Sequence, residues 1–289
     1  VGVFLYLLSC LPNFCIIIIM KLIVLGSGAW EGIPASFCSC AVCALAKKEH
    51  HSKNNRKRPQ FLIENGGQGF LLEAGPDIRL QSTSTALPPI TDFVISHWHF
   101  DHMYGLHELL SWMKKLPQKP TVHCSPGTNE VIEKEFNYLP LRMNIVRPFQ
   151  QFVLAGITIT PLPVYHMFTR DNDVPEPALE NTYGYLFETG RARVAYLGDY
   201  YRVPESTLGK IRGVDAVIAD GTYLLTDKYK ALKPNHLHGE DILSFTDSLG
   251  ARIIYYHSVS HLTGKTHEEM QNALPPSHIL TYDGMEINL

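Results

Sequence analysis

The chain has 289 residues, 45% hydrophobic and 18% charged, a composition that excludes an intrinsically disordered chain, a collagen-like fibre and a multi-span membrane protein. Its 25 Lys and Arg against 28 Asp and Glu leave a formal net charge of −3, so there is no global attraction to nucleic acid. Fourteen His stand beside six Cys, and histidine is both the commonest metal ligand and the usual proton carrier near neutral pH.

Residues 1–19 (VGVFLYLLSCLPNFCIIII) are apolar, but no Lys or Arg precedes the apolar run, no small-x-small cleavage site follows, and Pro12 and Asn13 interrupt it. They fit neither a signal peptide nor a span of about 20 residues and are expected to be an upstream extension outside the fold, with Cys10 and Cys15 irrelevant to it. Translation is expected to start at Met20, where MKLIVLGSG predicts a first strand and a Gly turn. FCSCAVC then sets Cys38, Cys40 and Cys43 at spacings too tight for a disulfide framework. In a chain with no secretion signal they predict three legs of a tetrahedral zinc site. AVCALAKKEH predicts a helix, and residues 47–58 (KKEHHSKNNRKR) a basic, solvated loop.

QFLIE, GFLLEA and DFVISH predict strands by length, β-branching and flanking Gly, Pro or Asp. The last runs into SHWHFDH. Alternate residues of an extended segment point the same way, so His97 and His99 can share one ion, while Asp101 and His102 face a second position as the chain turns into LHELLSWMKKL, which predicts a helix. Four ligand-type side chains in six residues are hard to explain by packing, because buried imidazoles and a carboxylate need partners. TVHC predicts a strand ending in a core thiol, Cys124, and Ser125-Pro126 a helix start. ITITPLP, YGYLFE, RVAYLGD, AVIAD, RIIYYH and MEINL predict further strands, with helices over 204–211 and 239–249. His166, Asp199 and His257 each lie just after one of these strands, and the acidic, Pro-containing residues 167–181 are expected to form a lid or specificity loop. The pattern predicts an α/β fold, two sheets covered by helices.

The ordered set His97-x-His99-x-Asp101-His102, His166, Asp199 and His257 resembles the metallo-β-lactamase superfamily of dinuclear metal hydrolases over residues 20–289. Within it the C-x-C-x-x-C cluster and the ending NALPPSHILTYDGMEINL resemble the PhnP-like phosphoribosyl cyclic phosphodiesterases of the carbon-phosphorus lyase pathway. The resemblance implies a four-layer αββα sandwich over 20–289 as a single domain. It implies two divalent ions, Zn or Mn, one held by His97, His99 and His166, the other by Asp101, His102 and His257, with Asp199 bridging. It implies catalysis by His236, in PNHLHGED, as the general acid, and by Asp101; His238 is the neighbour to be told apart from it. His261 is the expected fourth ligand of a structural Zn with Cys38, Cys40 and Cys43, although it follows His257 by four positions where the family has three. Two further departures are Glu73 in place of a ligand-orienting Asp and Tyr200 in place of a small hydroxyl residue. Asp77 and Asp220 are left as turn residues or partners of the ligands.

The function so implied is hydrolysis of a small cyclic or nucleotide-like phosphodiester by a cytoplasmic enzyme, with no membrane and no nucleic acid as partner and a homodimer left open. A tRNA 3′-processing endonuclease, a thioester or lactone hydrolase and a non-enzymatic cofactor-biosynthesis module are the alternatives.

Overall fold

The computed structural model describes residues 20–166, 182–231 and 235–289. The expected upstream extension (1–19) and lid loop (167–181) lie outside the described residues. Among those described, fourteen strands build two sheets of seven.

The first sheet contains β1 (Lys21–Gly26), β2 (Gln60–Asn65), β3 (Gln68–Leu72), β4 (Asp92–Val94), β5 (Thr121–Cys124) and β6 (Arg142–Ile145). The second contains β7 (Phe152–Leu154), β8 (Ile157–Pro163), β9 (Tyr183–Glu188), β10 (Arg193–Tyr196), β11 (Ala216–Asp220), β12 (Ile253–His257) and β13 (His278–Leu280). The last strand, β14 (Glu286–Asn288), returns to the first sheet, giving the orders β14-β1-β2-β3-β4-β5-β6 and β13-β12-β11-β10-β9-β8-β7. Each sheet is antiparallel at one side and parallel at the other: β3 to β6 in the first, β10 to β13 in the second.

The strands read as continuous apolar runs because both of their faces are buried. Leu22 and Val24 of β1, Phe61 and Ile63 of β2 and Phe70 and Leu72 of β3 pack with Ile159, Tyr185, Phe187, Val194 and Ile218 of the second sheet in one core between the sheets. The alternate residues Ile23, Leu25, Leu62 and Leu71 face a second core shared with helices α2 (Ile78–Ser84), α4 (Leu110–Met113) and α5 (Pro126–Glu135). On the far side Ala195, Val217, Ala219, Ile254 and Tyr256 meet α6 (Glu205–Ile211), α7 (Gly239–Ser248) and α8 (His267–Ala273) in a third. The result is the four-layer αββα sandwich, each fully buried Leu, Ile or Phe contributing roughly 1.5–3 kcal/mol. Among the described residues no helix is long and apolar enough to cross a membrane.

Several elements depart from the expectation. β6, β7 and β13 are short strands at sheet edges; partly exposed residues break the apolar pattern of the first two, and β13 has only three residues, one of them His278. No apolar periodicity announces α8, but a capping box does: Thr266 accepts from the Glu269 backbone while the Glu269 carboxylate accepts from the Thr266 N–H. The helix expected after SHWHFDH is broken into α3 (Phe100–Met103), a 3₁₀ turn (Tyr104–Leu109) and α4. Close packing on the loop after β3 explains the break: a Cβ at Gly105 would sit 1.9 Å from the Gly75 carbonyl, one at Gly75 2.1 Å from the Asp101 carbonyl, and Ala74 N donates to His102 O at 2.7 Å. The basic loop is not wholly solvated. Arg56 is buried, donating to Ser27 Oγ (2.8 Å), Thr281 O (2.5 Å) and His267 Nδ1 (2.9 Å), bonds that offset the cost of burying its charge. Cys124 is buried in the core and its thiol pushed up to about 12 by burial.

Candidate metal centres

The carboxyl ends of the parallel strands converge at one edge of the sandwich, the usual place for a ligand site in such sheets. β4 leads into His97, β8 into His166, β10 into Asp199, β11 ends at Asp220 and β12 at His257. One donor atom each from His97, His99, His166 and Asp199 lies within 4.8 Å of all the others, and the same holds for Asp101, His102 and Asp199. Asp199 thus belongs to both groups. His257 stands outside the second tight cluster, yet its Nε2 is buried without a hydrogen-bond partner.

The ring orientations follow from what holds the other nitrogen. His97 Nδ1 meets Ser96 Oγ at 2.8 Å, His257 Nδ1 meets Ser258 Oγ at 2.8 Å, and His166 Nδ1 donates to Asn235 O at 3.0 Å. Each leaves Nε2 for the site. His166 Nε2 lies 3.1 Å from His99 Nδ1 and 3.7 Å from Asp199 Oδ2, and His102 Nε2 lies 3.4 Å from Asp101 Oδ2 and 3.5 Å from Asp199 Oδ2. Burial first, and neighbouring imidazoles second, hold His97 and His166 well below the usual range; burial brings His99 to about 4 and His257 to about 3. These are neutral imidazoles with lone pairs to give. Burial would lower His102 too, but the Asp101, Glu73 and Asp199 carboxylates outweigh it and raise it well above the ordinary value.

Two features test whether cations fit. The Nε2 atoms of His97, His102 and His257 and the Oδ1 of Asp199 are buried with no hydrogen-bond partner, a costly arrangement unless something else satisfies them. Four carboxylates, Glu73, Asp101, Asp199 and Asp220, are buried around them, and a buried negative cluster needs positive charge. The donor set of imidazole and carboxylate suits Zn or Mn.

Glu73 occupies the position expected to orient a ligand. Its Oε1 lies 3.4 Å from His102 Nδ1 and accepts from Tyr196 OH at 2.9 Å, while Oε2 accepts from Ser96 N at 3.2 Å. Its backbone stands at φ +67°, a strained conformation for a non-Gly residue. Tyr200 is buried in the core against Phe245 and belongs to neither donor group. Asp77 pairs with Arg58 at 3.0 Å. Asp220 binds His236 Nδ1 at 2.5 Å and is itself held by Thr222 Oγ1 at 2.6 Å. Burial would lower His236, but Asp220 and, behind it, Asp199 and Asp101 raise it to about 9. His238 is separated from it, stacked on Tyr223 with centroids 4.3 Å apart. Sequence reasoning missed Ser96, Ser258, Tyr196 and Thr222; only adjacency to His97 and His257 could have pointed to the two serines.

A cavity of about 440 Å³ opens onto the cluster, lined by His99, Asp101, His166, Asp199 and His236 and, farther out, by Trp30, Trp98, Phe100, Tyr104 and Tyr223.

The second centre joins the two sheets. Cys38 and Cys40, before α1 (Ala41–Lys48), and Cys43 within it come together with His261, each with a donor atom within 4.8 Å of the others. His261 Nδ1 is 3.5 Å from both Cys38 Sγ and Cys40 Sγ, matching the edge of about 3.5 Å that Zn–S of about 2.3 Å and Zn–N of about 2.0 Å imply for a tetrahedron. Ser258, at φ +54°, turns the chain between His257 and His261, whose spacing is four. Hydrogen bonds from Cys40, its backbone N–H first, lower the Cys38 pKa, whereas burial pushes Cys43 up to about 12.

Two sheets flanked by helices, with buried His and Asp donors gathered at their strand ends, define the metallo-β-lactamase fold class. Residues 69–257 match the beta-lactamase superfamily domain, and the chain belongs to that superfamily. It is similar to an octanoyltransferase of Porphyromonas gingivalis (24% identical over 276 residues, 92% of this chain but 51% of that protein), so the chain spans about half the length of that relative. It is also similar to coenzyme PQQ synthesis protein B of Methylobacterium radiotolerans (28% over 228 residues, 72% of this chain and 75% of that one). Among solved structures, a diphosphatase of the PhnP family is 26% identical with TM-score 0.78, covering 94% of this chain and 97% of its own. Zinc-bound PqqB of Methylobacterium extorquens, 22% identical over 93% and 100% of the two chains, has the same fold at TM-score 0.78.

Proposed function

We propose that the chain is a metal-dependent phosphodiesterase, acting on a small cyclic or nucleotide-like phosphate diester. The observation that carries the reading is the His236–Asp220 pair set directly beside the donor cluster, with the His236 ring 4.8 Å from the His166 ring and both rings lining one cavity. His97, His99 and His166 would hold one divalent ion and Asp101, His102 and His257 a second, with Asp199 reaching both. Such a pair supplies Lewis-acid polarisation of a phosphoryl oxygen and acidifies water at neutral pH. The protein's own part is to shape and charge the cavity and to deliver a proton. Asp220 occupies Nδ1 of His236, so the proton for a departing alkoxide would come from Nε2, and the adjacent Asp220 carboxylate favours the protonated ring. Asp101 shares the second ion's half of the site and lines the cavity. Cys38, Cys40, Cys43 and His261 would hold a structural zinc, and these clustered thiols suit the reducing cytoplasm, where we place the chain.

The test is hydrolysis of bis-p-nitrophenyl phosphate by the full chain loaded with Mn²⁺ or Zn²⁺, beside thioester, lactone and precursor-tRNA substrates. Turnover of the diester above the others is expected. A fully metallated chain that leaves it intact overturns the reading.

A further inference from the structure

The outer half of the cavity is unusual in its exposed aromatic surface. Trp30 is 57% exposed, Phe100 49% and Trp98 36%, and all three line the cavity that reaches the His/Asp cluster. Large aromatic rings left in water at the mouth of a concave polar site mark a surface that a ligand covers.

Two of these rings rest on neighbouring rings, and the third stands on a fixed backbone. Trp98 lies between His97 and His99, and its indole meets the His99 ring edge to face, with centroids 5.0 Å apart at 84°. Phe100 rests against Tyr104 at 5.5 Å. Trp30 comes from the loop after β1, which the neighbouring strand ends clamp: Ala29 N donates to Val259 O at 3.1 Å, and Arg58 Nε donates to the Trp30 carbonyl at 3.1 Å. A ligand that stacks on Trp98 and Phe100 meets rings already supported by their neighbours, which lowers the entropy cost of ordering them.

We propose, resting on the phosphodiesterase reading above, that the substrate carries a flat aromatic group, a nucleobase or an aryl ring, which packs on Trp30, Trp98 and Phe100 while its phosphate reaches the His/Asp cluster. Every flat ring has a π-face, so such a platform selects for the ring without reading its edges. It discriminates against a sugar phosphate of equal charge, which offers the cluster the same phosphate but leaves the three rings in water.

Competition against bis-p-nitrophenyl phosphate hydrolysis by the Mn²⁺-loaded full chain tests this, with adenosine 5′-monophosphate, benzyl phosphate and ribose 5-phosphate as inhibitors. The two ring-bearing phosphates are expected to inhibit at concentrations about tenfold or more below ribose 5-phosphate, and the tighter of the two identifies the source of the ring. That advantage is expected to shrink to within about threefold in Trp30→Ala and Trp98→Leu and to persist in Trp30→Phe. Because it is a ratio measured on one preparation, partial misfolding of a variant cancels. Equal inhibition by all three compounds, or an advantage unmoved in both Trp30→Ala and Trp98→Leu, overturns the inference while hydrolysis of the reporter leaves the phosphodiesterase reading standing. Absence of reporter hydrolysis by the metallated wild type overturns both.

Discussion

The His/Asp centre and the Cys/His centre differ in burial, in donor chemistry and in the span of sequence each draws on. The first gathers side chains from the ends of β4, β8, β10 and β12, with His97, His102, His166 and His257 almost wholly buried, and it opens into a cavity. The second takes three thiols from one turn and a single imidazole from beyond β12, is partly exposed, and rests on a small cluster of Ile33, Ala35, Val42 and Ala46. An open, polar, buried centre has unsatisfied atoms to offer a substrate and a cation. A centre of four donors from two segments suits a mechanical part, tying the loop after β1 to the segment after β12.

The largest effect that separates the two is expected from His97→Ala. Losing several kcal/mol of cation-borne charge stabilisation corresponds to a rate loss on the order of 10⁴, read as bis-p-nitrophenyl phosphate hydrolysis. Zinc bound by the thiols, counted after the weaker ions are dialysed away, should be unchanged; loss of both together would erase the distinction between the centres.

His236→Gln keeps a hydrogen bond to Asp220 but gives no proton. Hydrolysis of an alkyl diester is expected to fall about 10²-fold, with less loss for p-nitrophenyl esters, whose leaving group needs no acid. Since the protonated form acts and Asp220 shifts the ring toward it, wild-type activity on the alkyl ester should decline on the alkaline side as His236 loses its proton, and that limb should be missing in the variant.

Cys40→Ser should act in the opposite sense to His97→Ala. It is expected to release one zinc and, by opening a cross-link worth about 2–4 kcal/mol, to lower Tm by about 5–10 °C, with a smaller change in hydrolysis than His97→Ala. A Tm within 1 °C of wild type would show that the thiols carry no cross-link.

The smallest effect concerns a histidine outside both centres. Burial, then Arg56 and Lys53, lowers His267 from 6.5 to about 4. Between those values the unfolded chain takes up a proton that the folded chain refuses, so this contribution to stability is complete above 6.5 and is lost as pH falls toward 4. The fall in Tm between pH 7 and pH 4.5 should be shallower in His267→Gln than in wild type.

Legibility in the sequence followed the range of the interactions involved. SHWHFDH was readable because four donors are adjacent and period two orients them, and the cysteine turn was readable because its spacing excludes disulfides. Glu73 was recognisable only by resemblance, and its φ of +67° was not visible at all. Asp220 looked like any acid at a strand end until the fold set His236 against it across sixteen residues. Arg56 read as one more charge in a basic loop, because nothing local reports the acceptors waiting at Ser27, Thr281 and His267. The edge strands β6 and β13 and the helix α8 escaped a search for apolar runs, since an edge or a capping box needs no such run.

The sequence by itself determined the two sheets, through apolar runs buried on both faces, and the superfamily, through the spacing and order of its donors. Only the tertiary structure decided which donors share a cluster, that Asp199 serves both groups, that His236 and not His238 faces the cavity, and that Trp30 and Trp98 stand at one mouth. Those are distances between atoms far apart in the chain, set when the strand ends of two sheets close on each other, and burial without partners turns that closure into a demand for cations.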